Sequence, residues 1–302
     1  MVSTQPTIEG IVDYGEVVLE PGLIEDGKLV DSQAFQVQLE KLVKNKKWRK
    51  ASLSFCVPDS SVTIREHLVP KGLAKEEIKA FIHMEIEESI RLPFSDPVVD
   101  FTIVGEENDQ TKILLFAYPK KRIAELIQSF EKVGLKPKVA DLSSLSLYRL
   151  YFQLDLAKQK EHLLLVQWGK DATVLTAFNY NKPIFTRYMK STYNRNNWTW
   201  SDRESELIWS GDEEDIDQMI EDQMVSLERF MDFYQYSVMD GDEQINKVLL
   251  VGDFPYMPRV ERVMQERIPV AIESFKNMEE KLHHPSKFAD VIGLVIKSNK
   301  KK

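Results

Sequence analysis

The sequence is poor in cysteine, in long apolar runs and in net positive charge. Its single cysteine, Cys56, excludes an internal disulfide bond, and its place in the apolar run LSFCV is typical of a buried thiol. No apolar stretch approaches the ~18 residues of a membrane-spanning helix, and the first residues lack the pattern of a signal peptide. We therefore expect a cytoplasmic protein that does not itself cross a membrane.

The net charge has the wrong sign for general nucleic-acid binding. The chain carries 48 acidic and 40 basic residues, a formal charge of −8, whereas phosphate backbones are bound by clustered Lys and Arg. The dense basic run is the terminal KSNKKK, Lys297 to Lys302, which we interpret as a solvated tail. We expect no nucleic-acid partner.

Motifs of several enzyme classes are also missing. The sequence has no Gly-x-Ser-x-Gly elbow and no phosphate-binding Gly-Lys-Ser/Thr loop. The five histidines show no metal-ligand spacing with acidic residues or cysteine; they are His67, His83, His162, His283 and His284. We therefore predict no catalytic residue and no metal site.

Hydrophobic patterning predicts two ββα units between residues 51 and 137. The strands ASLSFCVP and SVTIREHLVP precede the helix KEEIKAFIHMEIEESI, and the strands PVVDFTIVG and TKILLFAYP precede the helix KKRIAELIQSFEKVG. Before them, Asp31 and Ser32 are suited to capping a helix. The segment is therefore interpreted as an α+β module with its own sheet.

The second half begins with a predicted three-strand meander, HLLLVQWGKDATVLTAFNYNKPIFTR. Residues Asn194 to Asp212 are polar and rich in tryptophan, and we predict a loop or irregular insertion there. A long amphipathic helix follows, and the remaining patterns are the strand KVLLVG, the helix PRVERVMQERI, the strand PVAIESF and the helix FADVIGLVIKS. Alternating strands and helices indicate the α/β class.

Several short motifs in a fixed order carry a family resemblance. They are EPGLIEDGKLVD, FCVPDSSVTIREHLVP, EEIKAFIHMEIEESIRLPF with VVDF, VLLVGDF and FADVIGLVI. The most specific matches lie between residues 51 and 101, at Arg65, Leu68, Pro70, Glu85, Pro93, Phe94, Asp100 and Phe101. Together the motifs resemble the PilM family, actin-like cytoplasmic components of type IV pilus assembly that are related to the division protein FtsA.

The resemblance implies an α/β fold of the actin-like, ribonuclease H-like type, with two lobes and an inserted FtsA/PilM-type α+β subdomain. Residues 1–50 would form part of the first lobe, 51–137 the inserted subdomain and 138–160 the return to the first lobe. Residues 161–302 would form the second lobe, with a C-terminal helix that returns to the first. The first lobe would be N-terminally truncated, because about sixteen residues precede the segment VVLEPGLIEDG.

The family binds ATP between its lobes and holds the phosphates on two β-hairpins, each with an acidic residue and a glycine. We expect the first hairpin to be missing here, because the first sixteen residues contain no acidic strand-turn-strand motif. In the second hairpin the neutral Gln167 and Trp168 stand before Gly169. Asp171 and Thr173 are either compensating ligands or residues of a surface turn.

The region that binds the nucleotide base in the family also lacks expected residues in this sequence. Gly252 and Asp253 stand in place of a Gly-Gly pair, and Ser226 stands where a glutamate is expected. A side chain at position 253 would keep the backbone from lying against adenosine. We therefore predict a degenerate nucleotide site and no required cofactor, with ATP and Mg²⁺ as the alternative.

The family also captures a short N-terminal cytoplasmic peptide of the membrane protein PilN. An extended peptide can be held by pockets and backbone hydrogen bonds without any chemistry, so we predict an adaptor that binds such a peptide without turnover. The face around Arg65, His67 and Glu85 is the hypothesis for its binding site. Two alternatives stay open: an ATP-hydrolysing or sugar-kinase-like member of the actin superfamily, and an FtsA-like self-associating filament protein.

Overall fold

The structure is a computed structural model that describes residues 1–20, 22–191, 197–201 and 206–297. The helices are α1 (Ser32–Asn45), α2 (Lys75–Glu88), α3 (Lys120–Lys132), α4 (Ser143–Gln153), α5 (Glu213–Phe233), α6 (Met257–Arg267), α7 (Glu279–Leu282) and α8 (Ala289–Val295). The strands are β1 (Val2–Ser3), β2 (Ile11–Asp13), β3 (Ile24–Glu25), β4 (Lys28–Leu29), β5 (Ser52–Val57), β6 (Thr63–Pro70), β7 (Pro97–Glu107), β8 (Gln110–Pro119), β9 (Lys136–Leu142), β10 (His162–Trp168), β11 (Ala172–Asn179), β12 (Lys182–Lys190), β13 (Trp198–Ser201), β14 (Glu206–Trp209), β15 (Lys247–Gly252) and β16 (Ala271–Ser274).

Contacts divide the chain into two units. The first unit consists of residues 1–21, 54–56 and 141–302, and the second of residues 22–53 and 57–140. The sequence analysis predicts a finer division of the chain, into four segments with boundaries at residues 50, 137 and 160. That division stays a prediction.

The second unit contains an antiparallel sheet in the order β6-β8-β7, with α2 on one face. The first of the four predicted strands, β5, lies outside this sheet and pairs with β9. Side chains of a strand alternate between the two faces of a sheet, and the α2-covered face carries Val69 on β6 with Ile113 and Leu115 on β8. Ile78 and Ile82 of α2 pack against this face. The isoleucines at helical spacing therefore make α2 the expected amphipathic helix, with its apolar side on the sheet.

Helix α1 packs on α3 in the same unit. The carboxylate of Asp31 accepts hydrogen bonds from the amides of Gln33 (3.0 Å) and Ala34 (2.9 Å), which satisfies amides that have no partner within the helix. Phe35 contacts Phe130 with ring centroids 6.3 Å apart. The predicted capping role of Asp31 is confirmed.

The first unit contains a five-stranded sheet in the order β12-β11-β10-β15-β16. Strand β11 runs antiparallel to both neighbours, whereas β15 runs parallel to β10 and to β16. Numbered within the sheet this is the order 3-2-1-4-5 with only the second strand reversed, the topology of a ribonuclease H-like lobe. The observed meander β10-β11-β12 confirms the sequence prediction.

Two cores lie on opposite faces of this sheet. Leu164, Val166 and Trp168 face a core that includes residues of α5 and α6, while Leu163 and Leu165 face a core that includes residues of α4 and α8. Because both faces are covered, β10 and β15 are almost continuously apolar in sequence. The carboxyl ends of these two strands form the edge of the sheet where the nucleotide site is predicted.

The prediction of a loop at Asn194–Asp212 is wrong for residues 198–201 and 206–209, which form an antiparallel pair, β13 with β14. Trp198 and Trp209 are both 7% exposed and contact each other with ring centroids 5.0 Å apart. Each strand has only four residues, too few to give a clear alternation among many polar residues. Positions 194–196 and 202–205 of the prediction lie outside the described residues.

The expectation that the first sixteen residues contain no acidic strand-turn-strand motif is wrong, because β1 and β2 form a short antiparallel pair and β2 ends at Asp13. Strands of two and three residues are too short to give a recognisable periodicity. None of the helices within the described ranges combines the length and the hydrophobicity that a membrane span requires.

A buried ion cluster lies where β10 and β15 begin. Lys247 Nζ is 3.4 Å from Glu161 Oε2 and 3.1 Å from Glu273 Oε1, and it donates to the hydroxyl of Tyr151 at 3.1 Å. Burial, reinforced by the charge of Glu161, raises the pKa of Tyr151, so this hydroxyl keeps its proton and donates to Glu161 at 3.2 Å. Lys247 is therefore the cation that compensates two carboxylates.

The substitution Lys247→Met should lower the free energy of unfolding by about 3 kcal/mol, because removing one partner of a buried pair leaves its charge uncompensated. Urea denaturation at pH 7 measures this. The control Lys281→Met, at an exposed position, should change stability by less than about 0.5 kcal/mol. Adding Glu161→Gln to Lys247→Met should recover part of the lost free energy of unfolding, because one uncompensated carboxylate is removed. Equal stability of Lys247→Met and Lys281→Met would contradict the role of Lys247 as the compensating cation.

Candidate functional site

The predicted phosphate hairpin is the turn between β10 and β11. The amide of Gly169 donates to the carbonyl of Ala172 at 3.0 Å, which closes the turn. Lys170 Nζ lies 2.6 Å from Asp171 Oδ2. The cation of this turn is therefore already neutralised by its neighbour.

Gln167 and Thr173 lie on opposite faces of the sheet. Trp168 pairs with Thr173, whereas Gln167 pairs with Val174, and paired residues share a face. Trp168 belongs to the core that includes residues of α5 and α6, so Thr173 faces that core. Thr173 is 1% exposed, and its interpretation as a surface-turn residue is wrong. These two side chains cannot serve one phosphate together.

Gly252 is needed for a close approach within the sheet. It pairs with Trp168 across the parallel β10–β15 ladder, and its φ of +149° disfavours any side chain. A Cβ atom at Gly252 would lie 2.0 Å from the carbonyl oxygen of Trp168. The neighbouring Asp253 Oδ1 lies 4.0 Å from the position of a Cβ on Gly169. The structure thus brings Gly169, Gly252 and Asp253 together at the edge where open α/β sheets bind ligands.

Carboxylates dominate the charge at this edge. Asp253 is an exposed residue, but protein atoms surround its carboxylate, and the resulting desolvation raises its pKa. The nearby negative charges of Glu16 and Asp171 raise this pKa further, whereas the positive charge of Lys170 lowers it. Desolvation, together with the charge of Asp253, also raises the pKa of Asp290. A phosphate here would add negative charge to carboxylates that already repel one another.

No group of three or more His, Cys, Asp or Glu side chains in the described parts of the chain is arranged to hold a metal ion. The described acidic residues near Asp253 therefore do not form a metal site made of protein side chains alone. Mg²⁺ that binds with a nucleotide takes most of its ligands from water and phosphate oxygens, so the degeneracy of the nucleotide site stays a prediction.

The loop after β15 packs against the tryptophan hairpin. Phe254 is 4% exposed and contacts Trp198 and Tyr256, each with ring centroids 5.7 Å apart. Ser226, the remaining residue of the predicted site, donates to the carbonyl of Asp222 on its own helix at 3.0 Å. Its hydrogen bond therefore belongs to α5 and not to the hairpin.

The predicted partner-binding residues come together in the second unit. A pocket of about 140 Å³ is lined by Arg65, Glu66, His67, Ser89, Ile90 and Leu115. Glu85 lies beside it, with its Oε2 atom 3.9 Å from His67 Nε2 and hydrogen-bonded to the hydroxyl of Ser89. Arg65 and His67 share the α2-covered face because they pair with Leu115 and Ile113 of β8.

Sequence reasoning missed four lining residues of this pocket. Ile90 and Leu115, which are 6% and 1% exposed, form its apolar floor. The alternation of side chains along β6 could have placed Arg65 and His67 on one face. The presence of Leu115 in the pocket could be predicted only by knowing the register between β6 and β8. Glu66 and Ser89 gave no signal in the sequence, since both resemble ordinary surface residues.

A larger pocket of about 350 Å³ lies at the start of α5 in the first unit. It is lined by Asp212, Glu213, Glu214, Asp217 and Arg259. Arg259 contacts Glu213 at 2.7 Å and Asp217 at 3.1 Å. The acidic run therefore pairs with Arg259 of α6 and places negative charge at the amide end of α5, although the side chain of Asp212 forms no capping hydrogen bond.

Comparison with known proteins places this architecture in a family. The family described as "Type IV pilus assembly protein PilM" matches residues 7–193, more than half of the chain. The chain belongs to the PilM family. No curated protein matches it. PilM membership agrees with the actin-like fold indicated by the 3-2-1-4-5 sheet.

One solved structure shares the fold of this chain. The chain is similar to the "PilM-PilN type IV pilus biogenesis complex", with a TM-score of 0.72 and 19% identity over 92% of this chain and 89% of that chain. It is more distantly similar to the ethanolamine utilization protein EutJ from Carboxydothermus hydrogenoformans (TM-score 0.45, 10% identity, 91% and 78% covered). MreB5 of Spiroplasma citri bound to AMPPNP is similarly distant (TM-score 0.44, 10% identity, 93% and 79% covered).

The substitution Gly252→Ala should lower the free energy of unfolding by about 3 kcal/mol, because it adds a clash with Trp168 to an unfavourable φ. Gly241→Ala is the matched control, since Gly241 has a φ of +87° and no atom within 4 Å of its Cβ position; it should cost about 1 kcal/mol. Thermal unfolding of both variants measures the difference. Equal losses would show that Trp168 does not restrict position 252.

Proposed function

We propose that this PilM-family chain is an adaptor that binds the N-terminal cytoplasmic segment of a PilN-like membrane protein and does not hydrolyse ATP. The observation that carries the proposal is the state of the sheet edge, where Gly252 packs on Trp168 beside the neutral Gln167. Gly252 is held in this strand pairing, and the next residue, Asp253, carries a side chain where the family has a second glycine. The family membership and the similarity to a PilM–PilN complex support the partner.

The electrostatics at the edge support the absence of hydrolysis. Phosphoryl transfer needs cations to neutralise the charge that develops on the phosphate oxygens. Lys170 is paired with Asp171, and Asp253 adds a carboxylate close to Gly169. Gln167, which stands where the family has an acidic residue, cannot supply a carboxylate to order metal-bound water.

The pocket at Arg65 and His67 supports peptide binding. Its volume of about 140 Å³ is well below the ~300–1,000 Å³ typical of small-molecule sites. The apolar floor of Ile90 and Leu115 suits one aliphatic side chain, and the polar rim suits the backbone that carries it. Recognition of an extended segment uses such single-residue pockets.

Isothermal titration tests both halves of the proposal. One titration uses Mg-ATP, and the other uses a synthetic peptide of the first fifteen residues of the PilN-like protein from the same genome. We expect heat from the peptide and none from Mg-ATP, with a nucleotide-binding actin-like protein as the positive control for the ATP arm.

Each result has a distinct meaning. Stoichiometric binding of Mg-ATP would contradict the role given to Gln167 and Asp253 and favour the ATPase alternative. Failure of the peptide to bind would remove the proposed partner. Self-association as an FtsA-like filament stays a prediction, which sedimentation at increasing protein concentration checks.

A further inference from the structure

Lysine and arginine are concentrated in two stretches of the second unit. Residues 41–50, KLVKNKKWRK, contain six Lys or Arg and no Asp or Glu, and residues 132–138, KVGLKPK, contain three and none. The whole chain has a formal charge of −8, so this density of positive charge is not an average property of the sequence. The function proposed above uses neither stretch.

The fold joins the two stretches into one surface. The amide of Lys50 donates to the carbonyl of Gly134 at 2.7 Å, and the amide of Lys136 donates to the carbonyl of Ala51 at 2.9 Å. Helices α1 and α3, which pack on each other, both end at this surface. We call the surface formed by residues 41–50 and 132–138 the basic end of the second unit.

The cations of the basic end are available to a partner. Each of them except Lys46 is exposed, and none of the exposed ones forms an ion pair with another residue that the structure describes. The acidic residues nearest in sequence, Glu40 and Glu131, stand just outside the two stretches. The basic end is therefore a region of net positive charge that faces solvent.

Helix capping accounts for only part of this charge. Cations near the last carbonyl groups of a helix interact favourably with its dipole, and Lys44 and Lys132 lie in the last turns of α1 and α3. Lys47 and Lys50 instead follow α1, with φ angles of +58° and +67°. Glycine or asparagine adopts this backbone conformation at lower cost, so the turn itself gives no reason for lysine at these two positions.

We propose that the basic end binds the anionic headgroups of a membrane surface. Clusters of about four to eight Lys or Arg bind anionic lipids, and each cation strengthens the binding roughly fivefold. The inference rests on the proposed function in one respect, because a chain that holds the cytoplasmic segment of a membrane protein works beside such a surface. The ends of α1 and α3 then face the lipid.

A nucleic acid is the other polyanion that clustered cations attract. Proteins that bind single strands combine such cations with aromatic side chains on which bases stack. The aromatic residue of the two stretches, Trp48, is half-buried and packs with Val133 and Leu135, so its ring is engaged within the protein. The observations favour lipid headgroups, and a DNA duplex serves as the competing ligand in the test.

Binding by the basic end is expected to be reversible and sensitive to salt. Salt screens the attraction between exposed charges, and a polybasic surface anchors a protein stably only in combination with a second signal. In this protein the second signal is the bound segment of the PilN-like protein. The basic end therefore adds affinity for a partner that already lies in the membrane.

Co-sedimentation of the intact chain with lipid vesicles tests the proposal. One set of vesicles contains about 40% phosphatidylglycerol in phosphatidylcholine, and the other contains phosphatidylcholine alone. We expect the chain to sediment with the anionic vesicles at about 0.05 M salt, much less at about 0.3 M salt, and not with the neutral vesicles. Failure to bind the anionic vesicles at the lower salt concentration would overturn the proposal.

Charge removal assigns the binding to the basic end. The double variant Lys47→Gln/Lys50→Gln should bind the anionic vesicles about 25-fold more weakly, because two cations are lost. The matched control is Lys158→Gln/Lys160→Gln, which loses the same charge at exposed positions of the first unit. Thermal unfolding verifies that both variants are folded. Equal affinities of the two double variants would show that the basic end is not the binding surface.

The outcomes are distinct from those of the proposed function. The vesicles carry no peptide, so the vesicle result does not depend on whether the PilN-like peptide binds in the titration described above. Fluorescence anisotropy with a labelled DNA duplex covers the alternative ligand. Binding of the duplex that requires Lys47 and Lys50, with no binding of the anionic vesicles, would assign the basic end to nucleic acid and overturn the proposal.

Discussion

The approach of Gly252 to the backbone of Trp168 is the constraint on which the first unit depends. Both residues end strands in the middle of a five-stranded sheet, and the absence of a side chain at 252 lets the two strands stay in register to their last residues. Trp168 is then directed into the core that includes residues of α5 and α6. Asp253 is exposed at this edge, and the charges of Asp171 and Asp253 raise the pKa values of Asp253 and Asp290 respectively.

The resemblance to the family gives a second reason to consider this position. In the family a glycine pair in this region lets the backbone lie against the nucleotide, whereas in this chain Gly252 is followed by Asp253. A degenerate nucleotide site at this edge stays a prediction. The candidate partner pocket belongs to the other unit, where polar residues of β6 surround the buried side chains of Ile90 and Leu115.

Most regular elements could be predicted from the sequence, because each has a local signal. Asp31 satisfies helix amides, and the isoleucines of α2 recur at helical spacing under the sheet. The tryptophan hairpin could not be predicted, since its inward side chains are separated by polar residues. The burial of Thr173 was misjudged and the place of Leu115 in the pocket was missed for the same reason. Both depend on the register between paired strands, and a sequence pattern does not show which strands pair.

The aromatic contact of Phe254 with Trp198 also bears on how this protein can change over generations. Removing a buried phenylalanine costs about 3 kcal/mol or more, a large share of the stability of a typical domain. The same ring also contacts Tyr256, so a change at any one of these three aromatic positions alters the packing of the other two. Substitutions at positions 198, 254 and 256 are therefore expected to occur together among related chains rather than singly.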